Sequence, residues 1–166
     1  KAKVLGIAIY NEKNKFYIPI ENIKTLDFIK GNIYTYDNKK NYVSLSKYNL
    51  SLKNIIMDVM IACYLLNYNT KDDISLVAAT LGYEIEPFNK KEELTLEEEA
   101  TRSLKKAKFI YEVTDKLFSD MKHNGVINLY NDIELPLSTV LAKMELNGIY
   151  CDAKILDDMG EEIKER

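Results

Sequence analysis

The stretch "IELPLSTVLAKMELNGIYCD", residues 133–152, predicts a helix with a defined beginning and end, followed by a short strand. Pro136 falls in the first turn of this helix, where its missing N–H costs nothing, and Gly148 is placed to end it. The extended run "IYCD" follows, and Asp152 can cap a further helix. Residues spaced three and four apart form an apolar stripe along the first helix: Leu137, Val140, Leu141 and Met144. The stretch therefore opens a new structural unit near the end of the chain.

The composition is that of an ordinary globular protein. The 166 residues suit one domain, or one domain with an appendage, and 46% hydrophobic residues suffice for a buried core. No apolar run approaches the roughly 20 residues that span a bilayer, and the start "KAKVLGIAIY" is too strand-like for a signal peptide. Two distant cysteines, Cys63 and Cys151, and one histidine cannot form the usual zinc site and indicate a reducing cytoplasm. The net charge of −3 argues against a protein that wraps nucleic acid by bulk electrostatics, but it leaves open a neutral domain of a larger DNA-binding chain.

The first third of the chain has the alternation of paired strands. "KVLGIAIYNEKNKFYIPI", residues 3–20, contains two apolar runs around a polar turn at residues 11–14, which is typical of a hairpin. "GNIYTYD" predicts a third short strand. Asp37 then stands at an N-cap position before a helix that extends to about Lys47.

The rest of the sequence predicts helices. Residues 58–67 form a mostly apolar helix capped by Asp58, and residues 72–83 form another that a glycine ends. The clearest helix spans residues 95–123, because "TLEE" at its start is a capping box. One face of that helix is predicted to be apolar: Ala100, Leu104, Ala107, Tyr111, Thr114, Phe118 and Met121. Three strands followed mainly by helices predict an α/β fold, with the only plausible domain boundary near residues 126–132.

The stretch quoted first resembles the junction between the 3′–5′ exonuclease domain and the polymerase domain in the bacterial DNA polymerase I family, the family A polymerases. The matching positions are Glu-Leu-Pro-Leu at 134–137, Met-Glu at 144–145, Gly-Ile at 148–149 and an aspartate at 152. Upstream, "VLGIAIYNE" is similar to the second exonuclease strand, and "IIMDVMIACYLLNYNTKDDISLVAATLGY" is similar to a helix, a turn and the next helix of that domain.

This resemblance covers nearly the whole chain and implies an α/β, RNase H-like 3′–5′ exonuclease-like fold, followed by helices that lead into a polymerase domain. The first strand of the fold either precedes this sequence or is missing. The implied division is an exonuclease-like domain at residues 1–128 and the start of the polymerase domain at residues 129–166.

Exonucleases of this family resemble one another in holding two divalent metal ions with four carboxylates, since Mg²⁺ prefers hard oxygen ligands. The first pair, Asp-x-Glu, belongs to a strand that would precede Val4. In the second motif Asn41 stands where an aspartate is wanted, and in the third Lys106 replaces an aspartate and Arg102 a tyrosine. An amide is a weaker ligand, and cations near the site repel Mg²⁺. The resemblance thus implies an inactive exonuclease, so no catalytic, cofactor-binding or metal-binding residue is assigned, and Mg²⁺ is expected only for the parent polymerase.

Asp37 and Asp58 are the acidic residues that an active exonuclease could still use. Helix capping explains both more simply. The acidic runs at residues 72–73 and 97–99 lie at helix starts, where negative charge is stabilising, so they are not assigned as metal sites.

The remaining polar candidates are also predicted to be structural. His123 falls in a last helical turn and Cys63 inside an apolar helix. The following lysines could line a surface facing a strand, but they are more simply a solvated helix face: Lys39, Lys40, Lys105, Lys106 and Lys108.

The expected function is that of a structural and positioning domain in a DNA polymerase I that acts in DNA replication and repair. The chain is expected to pack against the polymerase domain, to bind DNA weakly or through the parent polymerase, and to make no membrane contact. The alternative is an active two-metal 3′–5′ proofreading exonuclease with ligands outside this sequence. A free-standing binding protein requires the match at residues 133–152 to be accidental.

Overall fold

A computed structural model of the chain describes residues 4–68, 73–87, 94–149 and 153–164. The strands in these ranges are β1 Gly6–Tyr10, β2 Lys15–Pro19, β3 Ile33–Thr35 and β4 Ile55–Asp58. The α-helices are α1 Asn38–Ser46, α2 Val59–Leu65, α3 Ile74–Thr80, α4 Leu96–His123, α5 Ile127–Leu129, α6 Leu135–Asn147 and α7 Ala153–Lys164. A 3₁₀ turn spans Ile20–Asn22, and a π-helical turn, Tyr130–Glu134, joins α5 to α6. None of the described helices has both the length and the apolar character needed to cross a bilayer.

The predicted hairpin is present. β1 and β2 pair antiparallel, with Ile7 opposite Ile18. Asn11 holds the turn between them, because its side-chain Oδ1 accepts the backbone N–H groups of Lys13 at 3.0 Å and Asn14 at 2.8 Å.

The described strands form two separate two-stranded sheets, because β1 pairs only with β2 and β3 forms a parallel pair with β4. α4 packs on both sheets. The Tyr111 ring centroid lies 5.6 Å from that of Tyr10 in β1 and 6.1 Å from that of Tyr34 in β3. No strand in the described ranges hydrogen-bonds to both β1 and β3.

β4 is absent from the sequence prediction, which begins a helix at Asp58 without a strand before it. The reason is its length: the apolar run "IIM" is too short to show a periodicity. A parallel strand also needs a partner that is remote in the sequence, and only the tertiary structure brings β3 to it.

α4 is the central helix of the core, and its inner face differs in part from the predicted one. Of the predicted face, Thr114 and Met121 are buried, whereas its other members are only half-buried. The remaining buried positions of α4 are Phe109, Val113 and Leu117. Apolar residues cover a wide arc of α4. The packing of α2 decides which part of this arc is buried, and the residue spacing alone does not show it.

Residues 127–147 form one continuous helical run through α5, the π-helical turn and α6, in the region of the predicted domain boundary. The π-helical turn lies directly before Pro136, whose ring and missing N–H disfavour α-helical bonding to the preceding turn. Within this run Tyr130 is fully buried in the core cluster that contains Met57 and Phe109. The division at residue 128 stays a prediction, and the two parts share core packing at Tyr130.

Predictions near two of the three internal gaps are described only in part. The strand "IYCD" and its capping residue Asp152 fall largely on residues 150–152, outside the described ranges, as does Cys151. Of the acidic pair at residues 72–73, Asp73 is described: it lies at the start of α3, as predicted, and it also caps that helix by accepting the backbone N–H of Ser75 at 3.0 Å.

Candidate functional site

Asp58 is fully buried where β4 ends and α2 begins. Its carboxylate accepts the backbone N–H groups of Asp37 at 3.0 Å and Asn38 at 2.6 Å, both at the start of α1. It also accepts those of Met60 at 3.0 Å and Ile61 at 3.4 Å in α2. Burial raises the pKa of Asp58 above its ordinary value, while the hydrogen bonds from the Asn38 and Asp37 backbone act in the opposite direction. The predicted cap is confirmed, and the same carboxylate joins the N-termini of two helices.

The second motif position is occupied by a hydrogen-bond donor. Asp37 caps α1 by accepting the N–H of Lys40 at 3.0 Å, with its backbone in the left-handed region at φ 59°. Four residues later, Asn41 turns its side chain toward the end of β3. Its Nδ2 donates to Thr35 Oγ1 at 2.6 Å and to the Tyr36 carbonyl at 2.9 Å. A metal ligand must offer a lone pair, and a carboxylate at position 41 would face a carbonyl oxygen, so these surroundings suit an amide.

The third motif position carries cations on α4. Arg102 Nε lies 2.6 Å from one carboxylate oxygen of Glu86, and Lys105 Nζ lies 3.3 Å from the other. Lys106 is half-buried on the next turn. α4 reaches β3 at Tyr111, about 7–8 Å further along its axis than Lys106 at 1.5 Å per residue. The repulsion of a metal ion by Arg102 and Lys106 stays a prediction, and the charge of Arg102 is in part balanced by Glu86.

The donor set of these residues does not fit a pair of magnesium ions. The described ranges contain no group of three or more His, Cys, Asp or Glu side chains arranged to hold a metal. Asp37 and Asp58 already accept backbone N–H groups, and Asn41 uses its amide as a donor. No metal-dependent step is therefore derived for these side chains.

The other sequence candidates lie where structural roles account for them. His123 is exposed in the last turn of α4, and residues 97–99 occupy its first turn, where Glu98 completes the capping box with Thr95. Cys63 is fully buried, and burial raises the pKa of its thiol to about 12. Three of the five lysines form surface ion pairs: Lys39 with Glu145, Lys105 with Glu86, and Lys108 with Glu112.

α6 turns its small residues inward. Ser138 and Ala142 are buried where α6 packs on α1, with Thr139 half-buried beside them. From α1, Asn38 Nδ2 donates to Ser138 Oγ at 2.7 Å and to Thr139 Oγ1 at 3.3 Å. Above these contacts an exposed ion pair joins Lys39 to Glu145.

The outward side of α6 is apolar. Its stripe consists of Leu137, Val140, Leu141 and Met144, which are 40%, 51%, 41% and 60% exposed. Ile133 extends it by one turn toward the N-terminus and is 54% exposed. Helices on a protein surface normally bury their large apolar residues, so α6 has the reverse arrangement for these residues, although its polar residues Lys143 and Glu145 are also exposed. We call this set of four residues the apolar stripe.

Comparison with known proteins places the chain among bacterial polymerases. The family model described as DNA polymerase I, ribonuclease H-like domain, matches residues 1–94. This chain belongs to the DNA polymerase I family. The DNA polymerase I of Lactococcus lactis subsp. lactis (strain IL1403) is 32% identical over 165 residues, which cover 95% of this chain and 19% of the relative. Those of Bacillus subtilis (strain 168) and Geobacillus stearothermophilus are 27% and 28% identical, covering 96% and 99% of this chain and 20% and 21% of the relatives.

Membership of the DNA polymerase I family confirms the resemblance drawn from the sequence. Together with the mixed α/β architecture, it identifies an RNase H-like exonuclease-like domain, and a role in DNA replication and repair fits the family. The chain spans about a fifth of the length of the curated relatives that it matches.

Sequence reasoning missed the residues that join the helices at this site. Asn38 meets Ser138 across 100 positions of sequence, and the backbone N–H of Asp58 donates to the Tyr130 hydroxyl, 72 positions away, at 2.6 Å. Asn38, Ser138 and Tyr130 each lie in an ordinary helical pattern with no local signal of their partners. The small residues Ser138 and Ala142, one turn apart on the side of α6 away from the stripe, are the only sequence feature that could have indicated a close helix contact.

Proposed function

We propose that this chain is the exonuclease-like part of a DNA polymerase I, that it has no nuclease activity, and that it positions the rest of the enzyme during DNA replication and repair in the cytoplasm. The observation that carries the proposal is the reversed arrangement of α6, whose apolar stripe faces outward. In this proposal DNA and Mg²⁺ are bound by the polymerase part of the parent protein, and the described residues hold no cofactor.

Burial of the apolar stripe is large enough to hold two parts of one polypeptide together. Fully burying a Leu, Val or Met side chain stabilises by about 1.5–3 kcal/mol. Since the four side chains are about half exposed, covering them would contribute about 3–6 kcal/mol. The partner that we propose is the rest of the same chain, because the matched relatives extend over about five times the length of this sequence.

The absence of nuclease activity is supported by the way two key side chains are engaged. Asn41 donates hydrogen bonds at a position where the family resemblance calls for a ligand, and the Asp58 carboxylate is surrounded by four N–H groups. The acceptor capacity of Asp58 is thus used for structure.

Two lysine substitutions in the apolar stripe of the full-length protein test the positioning role. Val140→Lys with Met144→Lys should lower the thermal stability of the parent polymerase, or split its unfolding into two transitions, because the interface would have to bury two charges. Lys143→Glu, a charge change at an exposed position of the same helix, is the matched control and should leave unfolding unchanged. Identical unfolding of the double variant, the control and the unmodified protein would contradict the proposal.

The nuclease part of the proposal is tested on a DNA primer with a mismatched 3′ end. The full-length protein should not shorten this primer in Mg²⁺ or Mn²⁺. One observation favours the alternative of an active exonuclease: the Asp37 backbone lies directly against the Asp58 carboxylate, so two acidic residues are neighbours. Metal-dependent trimming that is lost on Asp37→Ala or Asp58→Ala would establish that alternative.

DNA binding by the 166-residue chain alone should be weak, because the chain has a net charge of −3. The affinity should fall steeply with salt, because contacts to phosphates release counterions. A titration of single-stranded DNA followed by fluorescence anisotropy measures this. Sub-micromolar binding at physiological salt would show a dedicated DNA site and count against a purely structural role.

A further inference from the structure

We infer that Asp58, Asn38, Ser138 and Tyr130 form a two-point mount that sets the direction of α6 relative to the body formed by β1 to α4. This inference rests on the proposed function, because the direction of α6 decides where the apolar stripe faces. The mount is built around Asp58, one of the two acidic residues that an active exonuclease could still use.

The first point of the mount runs from β4 through α1 to α6. The Asp58 carboxylate accepts the Asn38 N–H at 2.6 Å, and Asn38 Nδ2 donates to Ser138 Oγ at 2.7 Å. Ser138 in turn donates to the carbonyl of Leu135 at 2.6 Å. Asp58, Asn38 and Ser138 are all buried, and no buried side-chain N or O atom among the described residues lacks a partner. A buried polar chain that is fully satisfied specifies one arrangement, because any other would leave a donor or acceptor unpaired.

The second point is the Tyr130 hydroxyl. It accepts the backbone N–H of Asp58 at 2.6 Å, and it lies 3.5 Å from the Ile56 carbonyl and 3.6 Å from Met57 Sδ. The Tyr130 side chain is fully buried, and burial raises its pKa above the ordinary value. One residue, Asp58, therefore holds the helical run twice, through its carboxylate at the first point and through its N–H at the second.

The distance between the two points is large enough to fix the direction of the α6 axis. Ser138 follows Tyr130 by eight residues in one helical run, which is about 12 Å along the axis at 1.5 Å per residue. One attachment would leave the helix free to pivot, whereas two attachments this far apart define its axis.

Hydrophobic packing by itself specifies this direction weakly. Leu135, at the start of α6, is half-buried against the core cluster, and the buried residues of α6, Ser138 and Ala142, offer little apolar area. The exposed ion pair between Lys39 and Glu145 adds little, because both groups are in contact with solvent. The hydrogen bonds are therefore the part of the contact that distinguishes one orientation of α6 from another.

Hydrogen exchange of the 166-residue chain, read by mass spectrometry, tests the mount. Tyr130→Phe removes the second point and Ser138→Ala removes the first, and each alone should raise exchange in α6 by about tenfold or less. The double variant should raise it by more than the product of the two single effects, because the helix then loses both points. Exchange in α2 and α4 should not change. Lys39→Ala, which breaks only the exposed ion pair, is the control and should match the unmodified chain.

Protection of α6 in the double variant equal to that in the control would overturn the mount. If Tyr130→Phe loosens the whole core, Ser138→Ala combined with Thr139→Val removes the α6 side of the first point alone. In that variant, the inference predicts that exchange rises toward the C-terminal end of α6 while residues 130–134 stay protected. Uniform exchange along residues 130–147 would overturn it. None of these measurements involves the polymerase part. A confirmed mount in a parent enzyme that does not bury the apolar stripe would refute the proposed function alone.

Discussion

Replacing Asp58 with alanine should destabilise the chain in metal-free buffer, even though a metal ligand at this position would be dispensable there. The loss has two sources. The N-cap of α2 contributes about 1 kcal/mol. The N–H groups of Asp37 and Asn38 lose a charged acceptor, and each such hydrogen bond contributes about 1.5–3 kcal/mol. Relief of the cost of burying the carboxylate offsets part of this sum. The expected net loss of unfolding free energy is about 3–5 kcal/mol.

Urea unfolding at pH 7 with EDTA, followed by far-UV circular dichroism, measures this loss. Asp73→Ala is the matched control, since Asp73 also caps a helix, α3, through the N–H of Ser75. It should cost about 1 kcal/mol, so the excess at Asp58 reports its bonds to α1.

The pH dependence of the same measurement has a defined sign. Burial raises the pKa of Asp58 in the folded state above its unfolded value. The stability contributed by this carboxyl group is then fully present below the unfolded pKa and declines as pH rises through the folded pKa. The difference between the unmodified chain and Asp58→Ala should therefore be larger at pH 4 than at pH 7.

The opposite result is expected if Asp58 is a metal ligand. If Asp58 were kept for Mg²⁺, its removal would leave the metal-free fold as stable as before, or more stable, and would abolish stabilisation by added Mg²⁺. A loss below about 1 kcal/mol in EDTA, together with a lost Mg²⁺ effect, would refute the structural role.

Three other substitutions or modifications probe separate parts of the fold. Asn41→Asp places a carboxylate against the Tyr36 carbonyl, so it should cost about 1–3 kcal/mol in urea unfolding without producing Mg²⁺ binding in calorimetry; a measurable Mg²⁺ affinity would contradict this. Gly6→Ala brings a Cβ to 2.5 Å from the Tyr17 ring and 2.8 Å from the Ile18 carbonyl, so it should lower stability by about 1–3 kcal/mol; an unchanged melting temperature would show that the hairpin can adapt. Cys63, with a pKa of about 12, should be roughly a thousandfold less ionised at pH 8 than an ordinary thiol. Its thiol should therefore resist a maleimide pulse until the chain unfolds. Rapid labelling of the folded chain, read by peptide mass spectrometry, would show that this part of the core opens.

Local signals predicted the helix starts and turns correctly. Asp37, Asp58 and Thr95 each cap the helix that their position indicated, because an N-cap depends on a side chain and on N–H groups two or three residues away. The same holds for Asn11 in the hairpin turn, whose contacts all lie within three residues. Family membership was likewise accessible from the junction motif, and the comparison confirmed it.

Long-range contacts escaped prediction for an equally simple reason. β4 needs β3 as a parallel partner, and the inner face of α4 depends on where α2 packs. The donor role of Asn41 is set by the end of β3, whereas the sequence could indicate only that an asparagine stands where the family resemblance calls for an aspartate.

The sequence by itself determined that α6 forms, where it ends, and that one side of it carries four large apolar residues, because these properties follow from proline, glycine and the helical repeat within a few turns. Only the tertiary structure decided that this side faces outward. Ser138 and Ala142 let α6 approach α1 closely, and Asn38, Asp58 and Tyr130 satisfy the polar groups of that contact from distant parts of the chain. Which side of an amphipathic helix is covered depends on the neighbours that fold beside it, and residue spacing contains no information about them.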